Sequence, residues 1–238
     1  MLITDYLSEI GPVVDELAET RNVGNIAKVI VELYEAWIKG NRIYICGNGG
    51  SASTASHFAC DLIKIGVPAQ SLDDNGAVIT MISNDDGFDK VYVNQLHGFK
   101  KGDVLFCISV HGGVCQGTDG VWSQNLIQAI EYVQAMEGTV LGLVGNEGGI
   151  IRRLANASVK VRNYSTPIVE SMHVFVTHLI VEVLKAISPV KMCNNCNMIR
   201  LPDNFRCKCN SVSFTYTGGM NGNIEEMRKV CDNYQSTD

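Results

Sequence analysis

His57 and Asp61 place an imidazole and a carboxylate four residues apart, so that both lie on one face of a helix. Immediately before them, an apolar run from Ile43 to Cys46 ends at the turn Gly47-Asn-Gly-Gly-Ser51. A glycine turn that leads into a helix exposes backbone N–H groups at the helix N-terminus, where they and the helix dipole favour an anionic ligand. An anion cradle beside a titratable pair is typical of an enzyme.

The bulk composition is that of a globular protein. The chain has 238 residues, of which 46% are hydrophobic and 18% charged, which is enough for a core domain plus an appendage. Its net charge of −6 argues against general nucleic-acid binding, which usually needs a basic face. The N-terminus reads as an amphipathic helix rather than a signal peptide, and no apolar run approaches the roughly 18 residues of a membrane span. We therefore expect a cytoplasmic protein that binds neither nucleic acid nor membrane.

Short apolar strands alternate with helical patterns along most of the chain. The predicted strands cover residues 42–46, 68–72, 104–109, 139–144 and 157–161. The predicted helices cover residues 3–20, 25–39, 51–65, 76–83, 88–98, 123–136, 149–155 and 167–187. The strands are almost continuously apolar, as is expected of parallel strands that helices cover on both faces. This pattern predicts a three-layer αβα domain with a central, mainly parallel five-stranded sheet, in which ligands bind beyond the carboxyl ends of the strands.

The glycine turn also fits a dinucleotide-binding fingerprint. The segment Gly47-Asn-Gly-Gly-Ser-Ala52 satisfies the G-x-G-x-x-A pattern, and Asp73 and Asp74 follow about twenty residues later. Against this interpretation, the following helix carries His57 and Asp61, where a nucleotide-binding fold would mostly pack apolar residues. Nucleotide binding is therefore the weaker of the two interpretations of the turn.

The whole pattern resembles the SIS (sugar isomerase) domain, and within it the phosphoheptose isomerases. The resemblance starts with the glycine turn and the following Ser56-His-Phe-Ala-Cys-Asp-Leu62. It continues through Ser71-Leu-Asp-Asp-Asn75, Ile82-Ser-Asn-Asp-Asp-Gly-Phe88, Lys101–Ser109 and Val169–His178. The match runs from about residue 2 to residue 187 and implies a SIS fold over residues 1–188. It implies an enzyme that interconverts a ketose phosphate and an aldose phosphate.

The resemblance implies which residues hold the substrate. The implied sugar-phosphate contacts are Asn48, Gly49, Gly50 and Ser51, and Asp85 matches a contact to a substrate hydroxyl. After the strand 104–109 the family has a serine-rich loop whose hydroxyls hold the phosphate. Ser109 and Ser123 match that loop, but His111 replaces one hydroxyl and about eight extra residues intervene. A cationic His111 would still meet a phosphate, whereas a neutral one would recognise a different group.

The resemblance also implies the catalytic and metal-binding groups. The implied metal ligands are His57, Asp61, Glu170 and His178, with Asp61 also as catalytic base and His178 as general acid. Proton transfer through an enediol requires such a base and acid, and a divalent metal polarises the carbonyl. Imidazole and carboxylate ligands suit Zn²⁺. Asp61 stands where the family usually has glutamate, which shortens the carboxylate by one methylene. Glu170 stands where glutamine is common, which adds a negative charge.

These observations predict a zinc-dependent sugar-phosphate isomerase. The specific reaction expected is conversion of sedoheptulose 7-phosphate into D-glycero-D-manno-heptose 7-phosphate, a step towards surface-polysaccharide precursors. The family implies a homotetramer with active sites shared between subunits. The alternative is a non-catalytic phosphosugar sensor or oligomeric adaptor, because the same fold also supports regulators. The rebuilt serine loop favours that alternative, and the retained acid and base positions favour the enzyme.

Four of the nine cysteines cluster near the C-terminus. They are Cys193 and Cys196 in a C-x₂-C pair, and Cys207 and Cys209 in a C-x-C pair. In a cytosolic protein such a cluster suggests a metal before disulfides, and four thiolates are able to close a tetrahedral structural zinc site. Aromatic and β-branched residues at 212–217 predict a small hairpin after it. We therefore predict a zinc-ribbon appendage over residues 189–238.

Overall fold

A computed structural model of the chain describes residues 3–113, 122–187, 190–193, 199–200, 214–217, 224–225 and 228–231. Its central sheet consists of β1 (Ile43–Gly47), β2 (Ala69–Ser71), β3 (Val104–Ser109), β4 (Thr139–Gly145) and β5 (Ala157–Val161). The strands lie in the order β2-β1-β3-β4-β5, and every neighbouring pair is parallel. The predicted five-stranded parallel sheet is therefore confirmed.

The strands are apolar throughout because both faces of the sheet are buried. Side chains alternate between the faces along a strand. Ile43 and Ile45 of β1 belong to one hydrophobic core, whereas Tyr44 and Cys46 belong to the other. β3 is buried at all six of its positions. Two cores, one on each side of the sheet, thus account for the continuous apolar runs in the sequence.

Eight helices among the described residues form the outer layers. They are α1 (Ile3–Ser8), α2 (Ile10–Leu17), α3 (Thr20–Ile38), α4 (Gly50–Lys64), α5 (Gly76–Asp85), α6 (Gln124–Ala135), α7 (Gly149–Leu154) and α8 (Thr166–Ile187). α3, α4 and α8 pack into the core on one face of the sheet, and α5, α6 and α7 pack into the core on the other. The predicted three-layer αβα architecture is confirmed.

The predicted helix over residues 3–20 is divided into α1 and α2. Pro12 explains the division, because it has no N–H to donate to the carbonyl of Ser8 and its ring would clash with that carbonyl. The same residue is tolerated in the first turn of a new helix, and α2 begins at Ile10.

The predicted helix over residues 88–98 is wrong. The segment instead forms two 3₁₀ turns, Phe88–Lys90 and Val93–Gln95. The side-chain amide of Gln95 donates to the carbonyl of Val91 at 2.7 Å, and the backbone N–H of Gln95 bonds to Tyr92. In an α-helix the Val91 carbonyl would accept the backbone N–H of Gln95 instead. The side chain therefore replaces the bond that would have continued a helix.

α8 runs beside α4 and carries two of the predicted site residues. It is the one helix among the described residues that is long and apolar enough to cross a membrane. Half of that apolar stretch is buried inside the protein. The composition of α8 is therefore accounted for by its place in the core.

His173 lies on the buried side of α8 and is fully enclosed. Burial lowers the pKa of its imidazole to about 4, because the cation is poorly solvated in the core. The unfolded chain therefore binds this proton more tightly than the folded chain does. As a result, the free energy of unfolding decreases as the pH falls from about 6.5 through about 4.

We expect a His173→Leu variant to lack this pH dependence. Between pH 7.5 and pH 4 the wild type should lose about 3 kcal/mol of unfolding free energy relative to the variant. Urea unfolding of both proteins at each pH measures the difference. A wild-type-minus-variant difference that stays constant with pH would show that this imidazole does not titrate differently in the folded state.

The C-terminal segment adds a small antiparallel sheet. It consists of β6 (Val190–Cys193), β7 (Ile199–Arg200) and β8 (Phe214–Thr217), in the order β7-β6-β8. Beyond it, Ile224 packs into the core that contains α3, and Arg228 bonds to Glu35 of α3 at 3.2 Å. Cys196, Cys207 and Cys209 lie outside the described residues, and Cys193 is described only as part of β6. The zinc ribbon and the boundary between residues 188 and 189 therefore stay predictions.

Candidate active site

β1 leads through the glycine turn into α4. A Cβ atom on Gly47 would lie 2.7 Å from the backbone of Ser51, and one on Gly50 would lie 2.3 Å from Oε1 of Glu170. No side chain fits at Gly47, because its Cβ would overlap backbone atoms and prevent the turn from folding against its own helix. At Gly50 the atom in the way is the end of a flexible side chain, so a Cβ there would require the Glu170 carboxylate to move.

The turn offers a limited set of backbone donors. The N–H groups of Ser51 and Ala52 bond back to the carbonyls of Asn48 and Gly49, at 3.1 and 3.0 Å. Within the described chain, the N–H groups of Gly49 and Gly50 form no such backbone bond. These two groups are the donors that the turn is able to present to an anion.

A buried polar network holds the turn from behind. The hydroxyl of Tyr92 lies within hydrogen-bonding distance of the carbonyl of Gly47 and of Oδ1 of Asp73, the latter at 2.7 Å, and the N–H of Gly47 donates to Oδ2 of Asp73 at 3.1 Å. The side chains of Asn48 and Asn125 form a reciprocal amide pair, with distances of 3.1 and 2.8 Å. Sequence reasoning assigned no role to Tyr92 or Asn125. It considered Asp73 in a nucleotide fingerprint and within one segment of the family resemblance.

Burial raises the pKa of Asp73 to about 6, although the hydrogen bonds from Tyr92 and Gly47 oppose the rise. A carboxyl whose pKa is higher in the folded state binds its proton more tightly there. Protonated Asp73 therefore adds most to the free energy of unfolding below about pH 4, and this contribution is lost as the pH rises through about 6.

We expect Asp73→Asn to remove this dependence. Relative to the variant, the wild type should lose about 2–3 kcal/mol of unfolding free energy between pH 4 and pH 7.5. This change is opposite in sign to that predicted for His173, so the two substitutions separate two effects that partly cancel in the wild type. Unfolding curves that show the wild type gaining stability over the variant in this range would contradict the assignment.

His57, Asp61 and His178 meet where α4 passes α8. The Nε2 atoms of the two histidines lie 2.9 Å apart, and Oδ2 of Asp61 lies 3.4 Å from Nε2 of His57 and 3.5 Å from Nε2 of His178. The imidazole rings meet edge to face, with centroids 5.1 Å apart. Both histidine side chains are 51% exposed, and that of Asp61 is 22% exposed. His178, which is distant in sequence, is thus brought to the predicted pair of His57 and Asp61.

The donor set of this triad fits a zinc ion. Two imidazole nitrogens and one carboxylate oxygen are ordinary zinc ligands, and the ligand atoms of a tetrahedral site lie about 3.3 Å from one another when each bond is about 2.0–2.1 Å. The triangle formed by the three atoms has sides of 2.9, 3.4 and 3.5 Å. The triad therefore has the size of one face of a zinc tetrahedron.

Glu170 lies away from the other three predicted ligands. Its carboxylate sits against Gly50, and it lines a cavity of 370 Å³ together with Ser53, Thr54 and His57. Eight residues along α8 separate it from His178, a rise of about 12 Å. Among the described residues, the group able to hold a metal contains His57, Asp61 and His178 alone. A negative charge beside the first turn of α4 is favoured by the helix dipole.

The residues that directly follow β3 bond to one another and to the residue after β4. Ser109 Oγ accepts the N–H of Gly112 at 3.0 Å, and Nδ1 of His111 lies 2.8 Å from Nδ2 of Asn146, at the end of β4. The His111 ring also packs on Trp122, with centroids 5.4 Å apart. His111 is thus directed towards β4. No signal in the sequence indicated Asn146 as its partner.

The two remaining predicted substrate contacts lie at helix ends. Ser123 precedes α6 with φ of 57°, two residues before the Asn125 that pairs with Asn48. Asp85 is the last residue of α5, is exposed, and accepts a hydrogen bond from Asn84 at 2.7 Å. Ser123 is therefore linked to the glycine turn through α6, whereas Asp85 has no described bond to another predicted site residue.

Known proteins share both the sequence pattern and the fold. A family described as "SIS domain" matches residues 5–145. The phosphoheptose isomerase of Crocosphaera subtropica is 34% identical over 154 residues, covering 62% of this chain and 74% of that protein. The phosphoheptose isomerase of Pelobacter propionicus is 30% identical over 167 residues, covering 67% of this chain and 84% of that protein. The structure of a phosphoheptose isomerase from Neisseria gonorrhoeae superposes with a TM-score of 0.66 and 25% identity, covering 76% of this chain and 96% of that one.

The domain match spans more than half of this chain, and the aligned regions include the glycine turn and the first sheet strands. The Pelobacter relative is matched over most of its own length. The chain therefore belongs to the phosphoheptose isomerase family of SIS-domain proteins, a family of isomerases.

Proposed function

We propose that the chain converts sedoheptulose 7-phosphate into D-glycero-D-manno-heptose 7-phosphate by metal-assisted proton transfer. Family membership supplies the class of enzyme, a sugar-phosphate isomerase. The observation that carries the finer proposal is the meeting of His57, Asp61 and His178 two to three helical turns from the glycine turn. A phosphate at the turn and a carbonyl at the triad would suit an extended sugar phosphate, since His57 lies about 10 Å beyond Gly50 along α4.

Asp61 and His178 divide the proton transfers. Asp61, as base, takes a proton from C1 of the ketose and returns it to C2, while His178 moves a proton between O1 and O2. Atoms and electrons balance within the sugar, so no outside oxidant or reductant is consumed. Oδ2 of Asp61 and Nε2 of His178 lie 3.5 Å apart, which suits groups that act on neighbouring atoms of one substrate.

His57, Asp61 and His178 would hold the metal, with Glu170 proposed as a further ligand. A bound Zn²⁺ would polarise the substrate carbonyl and offset negative charge on the enediol oxygens. The 2.9 Å contact between the histidines requires one ring to donate a proton to the other. Holding a metal would require both Nε2 lone pairs, so a bound metal would take the place of that hydrogen bond.

The exposure of the triad supports a homotetramer in which a second copy completes the site. His57 and His178 are half exposed, and Phe175 and Leu179 beside His178 on α8 are 45% and 37% exposed. An apolar surface next to catalytic groups is suited to burial by a partner subunit. Closure by that subunit would also exclude water from the enediol.

The direct test is incubation of the zinc-loaded protein with sedoheptulose 7-phosphate, with the aldose product followed by NMR. We expect turnover, a loss of at least about a hundredfold when a chelator removes the metal, and recovery when Zn²⁺ is restored. Activity that is unchanged after complete chelation would exclude the metal-assisted mechanism. Tight binding of the sugar phosphate without any product would instead favour the non-catalytic sensor.

A further inference from the structure

A second cavity, of 560 Å³, opens at the carboxyl ends of β3 and β4. Among the described residues it shares no lining residue with the cavity between α4 and α8. The residues that decide its chemistry are His111, Asn146, Glu147, Arg152, Arg153 and Tyr164. The isomerase mechanism above uses none of the positive charge in this cavity.

The charge balance of this β3–β4 cavity is positive. Arg152 and Arg153 are exposed at its edge, and neither guanidinium has a hydrogen-bond or ion-pair partner among the residues the structure covers. The Glu147 carboxylate is already engaged, at 2.5 Å by the hydroxyl of Tyr164 and at 3.6 Å by the ammonium of Lys160. Two unpaired arginines thus face a cavity whose one acidic group is neutralised by a lysine.

A buried amide in the cavity also lacks a partner. Asn146 is only 5% exposed, and one end of its amide bonds to Nδ1 of His111 at 2.8 Å. The amide oxygen, Oδ1, has no hydrogen-bond partner. Leaving a buried acceptor unpaired is unfavourable, so a ligand that donated a hydrogen bond to Oδ1 would gain affinity. Because Nδ1 of His111 is occupied, Nε2 of that ring is the nitrogen left for a ligand.

We propose that the β3–β4 cavity binds a small organic phosphate at a site separate from the isomerase triad. Arginine guanidinium groups present paired donors that match phosphate oxygens, and Nε2 of His111 would add a neutral hydrogen bond to the phosphate. Oδ1 of Asn146 would accept a hydrogen bond from a hydroxyl or amino group of the organic part. The volume lies within the range of about 300–1,000 Å³ that is usual for small-molecule sites, which is more than inorganic phosphate needs. The rings of His111 and Tyr164 offer flat surfaces for the organic part. His111 is the one lining residue that the family resemblance also implies as a substrate contact, whereas the arginines and Asn146 lie outside that implied set. Variants of the arginines and of Asn146 therefore test this site separately from the proposed reaction.

Trp122 makes the proposal directly measurable. Its half-exposed indole packs on His111, whereas Trp37, the other tryptophan, is buried and bonds to the carbonyl of Gly66. Titration of the full chain with adenosine diphosphate, glucose 6-phosphate and inorganic phosphate should give a saturable fluorescence change with at least one organic phosphate. The change should disappear in Trp122→Phe.

Matched variants locate the binding. The double variant Arg152→Gln/Arg153→Gln should raise the Kd at least tenfold, whereas Arg162→Gln, whose arginine pairs with Glu16 outside the cavity, should leave it unchanged. Asn146→Asp, which keeps the side-chain shape but adds a negative charge, should also weaken binding at least tenfold.

Comparing the affinities of the ligands identifies which class of organic phosphate the cavity binds. Tighter binding of the nucleotide than of the sugar phosphate would assign the flat surfaces to a base, and the reverse order would assign the cavity to a sugar. The proposal is overturned if no organic phosphate saturates the signal, or if the double arginine variant and Asn146→Asp both bind within threefold of wild type.

Discussion

Replacing His178 by alanine is expected to lower kcat for the isomerisation by at least about a thousandfold. In the proposed reaction the imidazole acts as acid towards the substrate oxygens, and its Nε2 also completes the ligand triangle with His57 and Asp61. The loss of one side chain would therefore remove both the proton donor and one metal ligand.

The fold should survive this change. The His178 side chain is half exposed, and alanine is a better helix former than histidine, so the unfolding free energy should shift by less than about 1 kcal/mol. His97→Ala is the matched control, since that histidine is also exposed but lies outside the triad. Stopped-time product assays and urea unfolding of the three proteins give both quantities. A His178→Ala rate within tenfold of the control would remove His178 from its proposed role.

The strands and the site helices were predictable because their signals are local. A strand buried on both faces must be apolar throughout, so β3 and β4 were recognised from composition alone. The glycine turn was predictable for a similar reason, since Gly47 stands where a Cβ would overlap the backbone of Ser51. The pairing of His57 with Asp61 follows from helix geometry, and its meeting with His178 required the family resemblance.

Long-range hydrogen bonds account for what the sequence did not reveal. Tyr92 supports the glycine turn from a segment that looked helical, and the Gln95 side chain stops a helix there by taking over a backbone bond. His111 matches a phosphate-binding position, yet it bonds to Asn146 on the next strand. These partners are set by how strands and helices pack, and no spacing along the chain encodes that.

Substitution of Asp61 separates the metal-binding role of the carboxylate from its role as base. Asp61→Asn keeps the shape but removes the charge, so we expect metal affinity to fall at least about tenfold and turnover to be lost. Metal content should be measured in a Cys207→Ser/Cys209→Ser background, so that zinc held by the C-terminal cysteines does not contribute. Asp15→Asn, an exposed carboxylate on α2, is the matched control. Wild-type metal content with lost activity would leave Asp61 as base alone.

Asp61→Glu tests whether the shorter side chain is fitted to this site. Oδ2 of Asp61 already lies 3.4 and 3.5 Å from the two histidine nitrogens, so the carboxylate reaches the ligand triangle without an extra methylene. A glutamate would still bind the metal but would displace the base, and a displacement of about 1 Å costs about a hundredfold in rate. We therefore expect near-normal metal content with kcat lowered about a hundredfold. A rise in kcat would mean that the family's longer carboxylate suits this site better, and that the shorter side chain of Asp61 lowers the turnover rate.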